Sequence, residues 1–142
     1  MPIQTNLFYE DLAPGQTASF GKTITDADIV LFAAVSGDTN PVHVSDIAAA
    51  ASPFGHRIAH GLLSAGLISA VLGTRLPGPG TIYMSQTLHF LAPVPIGATV
   101  TATVEVIELL EHHHVRLRTT CETGGELVIE GEALVKVPSR AP

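Results

Sequence analysis

Between residues 60 and 73 the chain is apolar on every side of a helical wheel, and Ser64 and Ser69 carry the only hydroxyls in the stretch. Such a helix has no polar face to turn toward water, so the pattern predicts a central helix surrounded by protein on every side. It is also shorter than the roughly 20 apolar residues that a membrane span requires. The rest of the chain has to supply its cover.

Past the breaker Pro77-Gly78-Pro79-Gly80, four segments rich in β-branched residues follow, at about 81–91, 98–110, 115–122 and 127–137. Pro93 and Pro95 mark the first connection, residues 111–114 the second, and Gly124-Gly125 the third, which suits a tight hairpin. Consecutive strands with short connections predict an antiparallel meander. A twisted antiparallel sheet and a long apolar helix solve each other's burial problem if the sheet wraps the helix, which predicts an α+β hot-dog fold.

Upstream, residues 8–16 read as a lead-in closed by Pro14-Gly15, and 17–23 as a strand. Thr25 followed by Asp28 reads as a capping box, with Ile29, Phe32, Ala33 and Val35 at helical spacing behind it and Gly37 as the stop. Proline disfavours a helical residue before it, so Asn40-Pro41 predicts a loop from Asp38 to His43. Ser45 then caps a short helix over 46–51.

At 142 residues the chain is long enough for a real core and is read as one domain, 1–142. Apolar residues at 46% against 14% charged suit a chain that buries much of its surface, and point to a homo-oligomer. The net charge of −6, with seven scattered Lys and Arg, leaves no basic stripe for nucleic acid or anionic lipid. Cys121 is alone, so it can form no intrachain disulfide or CxxC metal site. The first ten residues lack the basic start and apolar core of a signal peptide, so a soluble, cytoplasmic protein is expected.

The chemistry concentrates in Ser36-Gly37-Asp38-Thr39-Asn40-Pro41-Val42-His43, where a carboxylate and an imidazole stand five positions apart. On a continuous helix they would point about 140° apart. The Gly37 stop and the Asn40-Pro41 turn remove that helix and allow Asp38 and His43 to converge. Taken alone, Asp38 could equally be a turn or cap residue and His43 a satisfied histidine. Gly61 adds a second feature, since it starts the apolar helix, where free N–H groups and the dipole favour negative charge and a missing Cβ lets a ligand approach the backbone. An acid-base pair beside an anion-stabilising helix start is what adding water across a thioester-conjugated double bond requires: water loses a proton, Cα gains one, and enolate charge develops on the thioester oxygen.

These segments, together with Ala59-His60-Gly61 and Tyr83-Met84-Ser85-Gln86-Thr87-Leu88-His89-Phe90, resemble the MaoC-like, (R)-specific enoyl-CoA hydratase family. The resemblance runs from Phe8-Tyr9-Glu10-Asp11-Leu12 to the last strand. It implies a hot-dog homodimer with active sites near the subunit interface and syn hydration of trans-2-enoyl-CoA to the (3R)-hydroxy thioester, or the reverse dehydration. By position it implies that Asp38 and His43 hold and activate the water, that the Gly61 N–H joins the oxyanion hole, that Asn40 shapes the catalytic loop and that the Ser69 hydroxyl supports the carboxylate. No metal or redox cofactor is required, because the thioester itself acidifies Cα; coenzyme A or a carrier-protein pantetheine is part of the substrate.

Other features receive plainer readings. Of His112, His113 and His114, two at most share a strand face, which describes a solvated connection more than a metal site. His60 is read as a positioning residue for the helix start. Gln86 fits a solvent-facing sheet position as well as a bond near the central helix. A hot-dog thioesterase, which would release free thiol, and a non-catalytic acyl-thioester-binding subunit are the rival functions.

Overall fold

In the computed structural model, which describes residues 7–141, the apolar stretch forms α4 (Gly61–Thr74). Around it curves an antiparallel sheet built from β1 (Thr17–Thr23), β2 (Ile82–Gln86), β3 (His89–Phe90), β4 (Thr99–Leu109), β5 (His114–Thr123) and β6 (Glu126–Lys136), in the order β1-β4-β5-β6-β2, with β3 also on β6. This is the hot-dog arrangement. Alternation along β4 sends Val100, Ala102, Val104 and Val106 inward, and along β5 Val115, Leu117, Thr119 and Cys121, all without exposed surface. They meet Leu67, Ile68, Val71 and Leu72 of α4. Each fully buried aliphatic side chain in this interface contributes about 1.5–3 kcal/mol.

The sheet covers α4 on one side only. Leu62, Gly66, Ser69 and Gly73, spaced to form one stripe, are exposed in the single chain. The expectation of cover on every side is therefore corrected: hydropathy states that a face avoids water and leaves open which molecule shields it.

The segment at 81–91 is also not one strand. It breaks at Thr87-Leu88 into β2 and β3, and Gly131 of β6 shows why, since a Cβ there would lie 1.8 Å from the Thr87 carbonyl oxygen. The chain crosses over that glycine, tied by Thr87 N–H to the Glu132 carbonyl at 2.9 Å and by Glu132 N–H to the Thr87 hydroxyl at 2.9 Å. Only β4, β5 and β6 form the expected meander. β2 passes to the far edge and pairs with β6, while β1 takes the free side of β4.

Helix α1 (Asp26–Ser36) begins with the full capping box at Thr25 and Asp28, and ends at Gly37 with φ of 81°. Two short helices follow, α2 (Pro41–Val44) and α3 (Asp46–Ala50), the latter capped by the Ser45 hydroxyl on the Ala48 N–H. Here the predicted loop over 38–43 is corrected in its second half. Pro41 occupies the first turn, where its fixed φ suits a helix and its missing N–H is no loss, and Asn40 caps it by accepting from the Val42 N–H at 3.2 Å. Among the described residues no helix is long and apolar enough to cross a membrane.

Candidate functional site

The α1–α2 junction and the start of α4 meet at a cavity of about 660 Å³. Its walls include Phe32, Asp38, His43, His60, Gly61, Ser64 and Phe90. Asp38 is exposed at its mouth, whereas His43 and His60 are buried. One ligand atom from each of Asp38, His43 and His60 lies within 4.8 Å of the others. The turn has folded back, so the carboxylate and imidazole five residues apart share one space.

Hydrogen bonding fixes the chemistry of both rings. His43 Nδ1 lies 2.8 Å from the Ile58 carbonyl oxygen, which can only accept, so Nδ1 carries a proton and the neutral ring has its lone pair on Nε2. His60 Nε2 lies 2.9 Å from the Asp38 carbonyl oxygen and is likewise a donor, and its buried Nδ1 has no partner among the described residues. The two rings stack at 3.9 Å and 28°, with Phe32 packed on the far side of His60 at 4.8 Å. His60 thus holds the backbone of Asp38 and serves as a floor for His43. By separation the trio could also hold a cation.

Backbone bonds in the loop orient the carboxylate. Asn40 N–H donates to Asp38 Oδ1 at 3.2 Å, and the Ser36 hydroxyl accepts from the Asp38 N–H at 3.1 Å. Asn40 therefore links the carboxylate to the α2 cap with one residue.

Gly61 lines the cavity at the first position of α4. The His60 carbonyl accepts from Leu63 and Ser64, and no side chain caps the helix. Among the described residues the Gly61 and Leu62 N–H groups meet no protein acceptor, so the positive end of the helix opens onto the cavity. A Cβ at Gly61 would lie 2.6 Å from the Phe90 ring, which would have to swing aside to admit it.

Ser69 stands elsewhere. It lies on the exposed stripe of α4, makes no hydrogen bond to Asp38 and is absent from the cavity wall. The hydroxyl that does face the cavity belongs to Ser64, buried and without a partner among the described residues. Five residues separate the two serines, so they point about 140° apart on one helix and cannot serve one space within a single chain. The sequence offered both; only the wheel measured from Gly61, with Ser64 nearly one turn on, would have separated them.

Gln86 has a structural post, its Nε2 donating to the buried Thr119 hydroxyl and the Thr87 carbonyl, each at 2.8 Å. The histidine connection is a turn in which His112 and His113 both take φ of 60°, with the His113 ring against Tyr9 at 5.2 Å.

With this geometry established, comparison with known proteins gives a consistent answer. Residues 11–131 match the family model described as MaoC like domain. A 3-hydroxybutyryl-CoA dehydratase of Methylorubrum extorquens is 58% identical over 99% of this chain and 90% of its own length. An (R)-specific enoyl-CoA hydratase of Rhodospirillum rubrum is 60% identical over 94% of this chain and 93% of its own. The solved structure of the R-hydratase PhaJ1 from Pseudomonas aeruginosa superposes with a TM-score of 0.92 at 46% identity, covering 95% of this chain and 88% of the other. A carboxylate and an imidazole brought together at the open start of a sheet-wrapped helix, on a sequence this similar to known hydratases, place the chain in the MaoC-like (R)-specific enoyl-CoA hydratase family.

Proposed function

We infer that this protein is an (R)-specific enoyl-CoA hydratase, adding water to trans-2-enoyl-CoA to give the (3R)-3-hydroxyacyl-CoA and accelerating the reverse dehydration equally. The observation that carries the reading is the convergence of Asp38 and His43, whose Nδ1–H is engaged by the Ile58 carbonyl, at a cavity that also receives free N–H groups of α4. Water between the Asp38 carboxylate and His43 Nε2 donates a hydrogen to each acceptor. As its oxygen attacks Cβ, one of the pair takes the proton, and the pair returns a proton to Cα. The thioester oxygen gains negative charge between these steps, and the Gly61 N–H at the helix start is positioned to receive it. Asn40 keeps the carboxylate and the α2 turn in register.

A second copy of the chain fits the exposed stripe of α4 and the free, apolar edge of β2, where Ile82, Tyr83 and Met84 stand exposed. Ser69 is about 12 Å along the axis from Gly61, so its hydroxyl reaches a carboxylate only if α4 of another copy lies against this one. We therefore assign it a supporting role in a homodimer and none within one chain. Gly66→Leu tests the arrangement. A Cβ there meets nothing within 4 Å in the single chain, so the variant folds, while light scattering after gel filtration reports a mass shifted from dimer to monomer. A dimer that persists moves the interface elsewhere. An acyl-carrier-protein substrate and a cytoplasmic location are compatible with the same site.

The activity is tested by following the enoyl-thioester absorbance of crotonyl-CoA and octenoyl-CoA, with a thiol-reactive dye in parallel and chiral analysis of product. Cys121 is buried and its thiol is pushed up to about 12 by burial, so the folded protein is silent toward the dye. Loss of absorbance without thiol and with an R-configured alcohol is expected. Thiol release identifies a thioesterase instead, and no turnover of either substrate identifies a binding subunit.

A further inference from the structure

The one-turn helix that carries His43 is too short to hold itself. Four residues make a single turn whose carbonyls mostly lack partners inside the helix. Tracing them shows where the support comes from. The Asn40 and Pro41 carbonyls accept from the His43 and Ser45 N–H groups, both at 2.9 Å. The Val42 carbonyl accepts from the Ile58 N–H at 3.3 Å, and the His43 carbonyl accepts from Arg57 Nε at 2.6 Å. The Ile58 carbonyl then accepts a hydrogen bond from His43 Nδ1–H. Two adjacent residues, Arg57 and Ile58, thus grip both the backbone and the ring of His43.

Arg57 is the costlier member of that grip. It is only 8% exposed, yet carries a full charge. Its Nη1 meets Asp26 at 2.7 Å and Asp46 at 3.9 Å, the first residues of α1 and α3, while its Nε caps the carboxyl end of α2. Cation at a helix C-terminus and anions at two helix N-termini are each the favourable sign. The segment is anchored in turn to the Pro93–Pro95 connection, through Ala59 N–H to the Val94 carbonyl at 2.8 Å and Ile96 N–H to the Arg57 carbonyl at 3.1 Å. Arg57 does not line the cavity.

We propose that Arg57 is a positioning residue for His43: its guanidinium locks the α2 turn against the Ile58 carbonyl and so holds the imidazole in the Nδ1–H tautomer with Nε2 facing the cavity. The inference rests on the assignment of His43 as a base. Lysine at this position keeps a cation and cannot both donate in the plane of Nε and reach Asp26. Methionine keeps the stem and loses every donor.

The test compares wild type with Arg57→Lys and Arg57→Met in two measurements. Steady-state hydration of crotonyl-CoA should show kcat lowered by about tenfold to a hundredfold, with KM within about twofold, because an ångström of misplacement acts on the reacting geometry and leaves the binding walls intact. Imidazole ¹⁵N spectra of the folded protein without substrate should show His43 as the Nδ1–H tautomer in wild type and as a mixture in both variants. Unchanged kcat, or a loss accompanied by an unchanged His43 spectrum, overturns the proposal and leaves Arg57 an ordinary structural ion pair. If both variants fail to fold, Asp26→Ala carries the test, since it removes the 2.7 Å contact that steadies the guanidinium from the solvent side; an unmoved spectrum and kcat there also overturn it. The spectrum is read without turnover, so a protein inactive on every enoyl-CoA would count against the assigned function and not against the role of Arg57.

Discussion

The two long helices of this protein start in opposite ways. At α1 a side-chain cap is built: the Thr25 hydroxyl accepts from the Asp28 N–H at 3.2 Å, the Asp28 carboxylate accepts from the Thr25 N–H at 2.9 Å, and Lys22 binds the same carboxylate at 2.7 Å. At α4 the N-cap residue is His60, whose side chain caps nothing and turns instead to Asp38. The first start is built for stability. The second forgoes a cap, worth about 1 kcal/mol, and leaves its first N–H groups facing the cavity. A helix end left open at the wall of a cavity is therefore informative, because the sequence shows elsewhere that it can close one.

If this contrast is right, changes around the start of α4 should cost rate and leave stability alone. The largest effect is expected from Asp38→Asn and His43→Gln, each lowering kcat by about a hundredfold or more. Denaturation midpoints should stay near wild type for Asp38→Asn, since Asp38 is exposed. A variant with wild-type turnover would remove that residue from the mechanism and with it the functional meaning of the open helix end.

Gly61→Ala probes the open end itself. The added Cβ meets the Phe90 ring, which is half exposed and free to swing, so the fold should tolerate it with a change of about 1 kcal/mol or less. Turnover should fall by about tenfold, part of the hundredfold or more that losing a whole oxyanion donor costs. A large loss of stability with normal kcat would mean that Gly61 is needed for packing against β3 and not for substrate.

Thr25→Ala is the mirror experiment at α1. Loss of the cap should lower unfolding free energy by about 1 kcal/mol in a urea titration, with kcat unchanged. A matching fall in kcat would join α1 to the site mechanically, through Phe32 and its contact with His60, and blur the distinction between the two helix starts.

The same contrast shows which parts of the molecule can be seen in sequence. Thr25, Asp28 and Gly37 announce α1 because capping chemistry is local, and the all-round apolar run announces α4 because hydropathy is a sum over neighbours. Asp38, His43 and Gly61 are legible as an arrangement because their meeting depends on two chain breaks only twenty residues apart. What stays hidden depends on distant backbone. Strand 81–91 divides because Gly131, more than forty residues on, admits the Thr87 carbonyl. Pro41 opens a helix where proline usually reads as an end, since Asn40 caps it and Arg57 closes it. Ser64 and Ser69 are equal in composition and differ only in which side of α4 the sheet covers.

The smallest expected effect separates charge from capping at α1. The Lys22 ammonium beside Asp28 and the Thr25 backbone N–H hold the Asp28 carboxyl below its usual value, while burial opposes them. The folded protein thus takes up this proton at lower pH than the unfolded chain does. Its stabilisation is complete at neutral pH and is lost as acid carries the solution through about pH 4, the ordinary carboxylate value, toward the lower folded value. Asp28→Asn removes a charge that is partly in solvent, so the loss at pH 7 should be smaller than for Thr25→Ala, and variant and wild type should converge in acid. A gap that stays constant with pH would assign the role of Asp28 to its cap geometry alone, leaving the Lys22 pair without measurable weight.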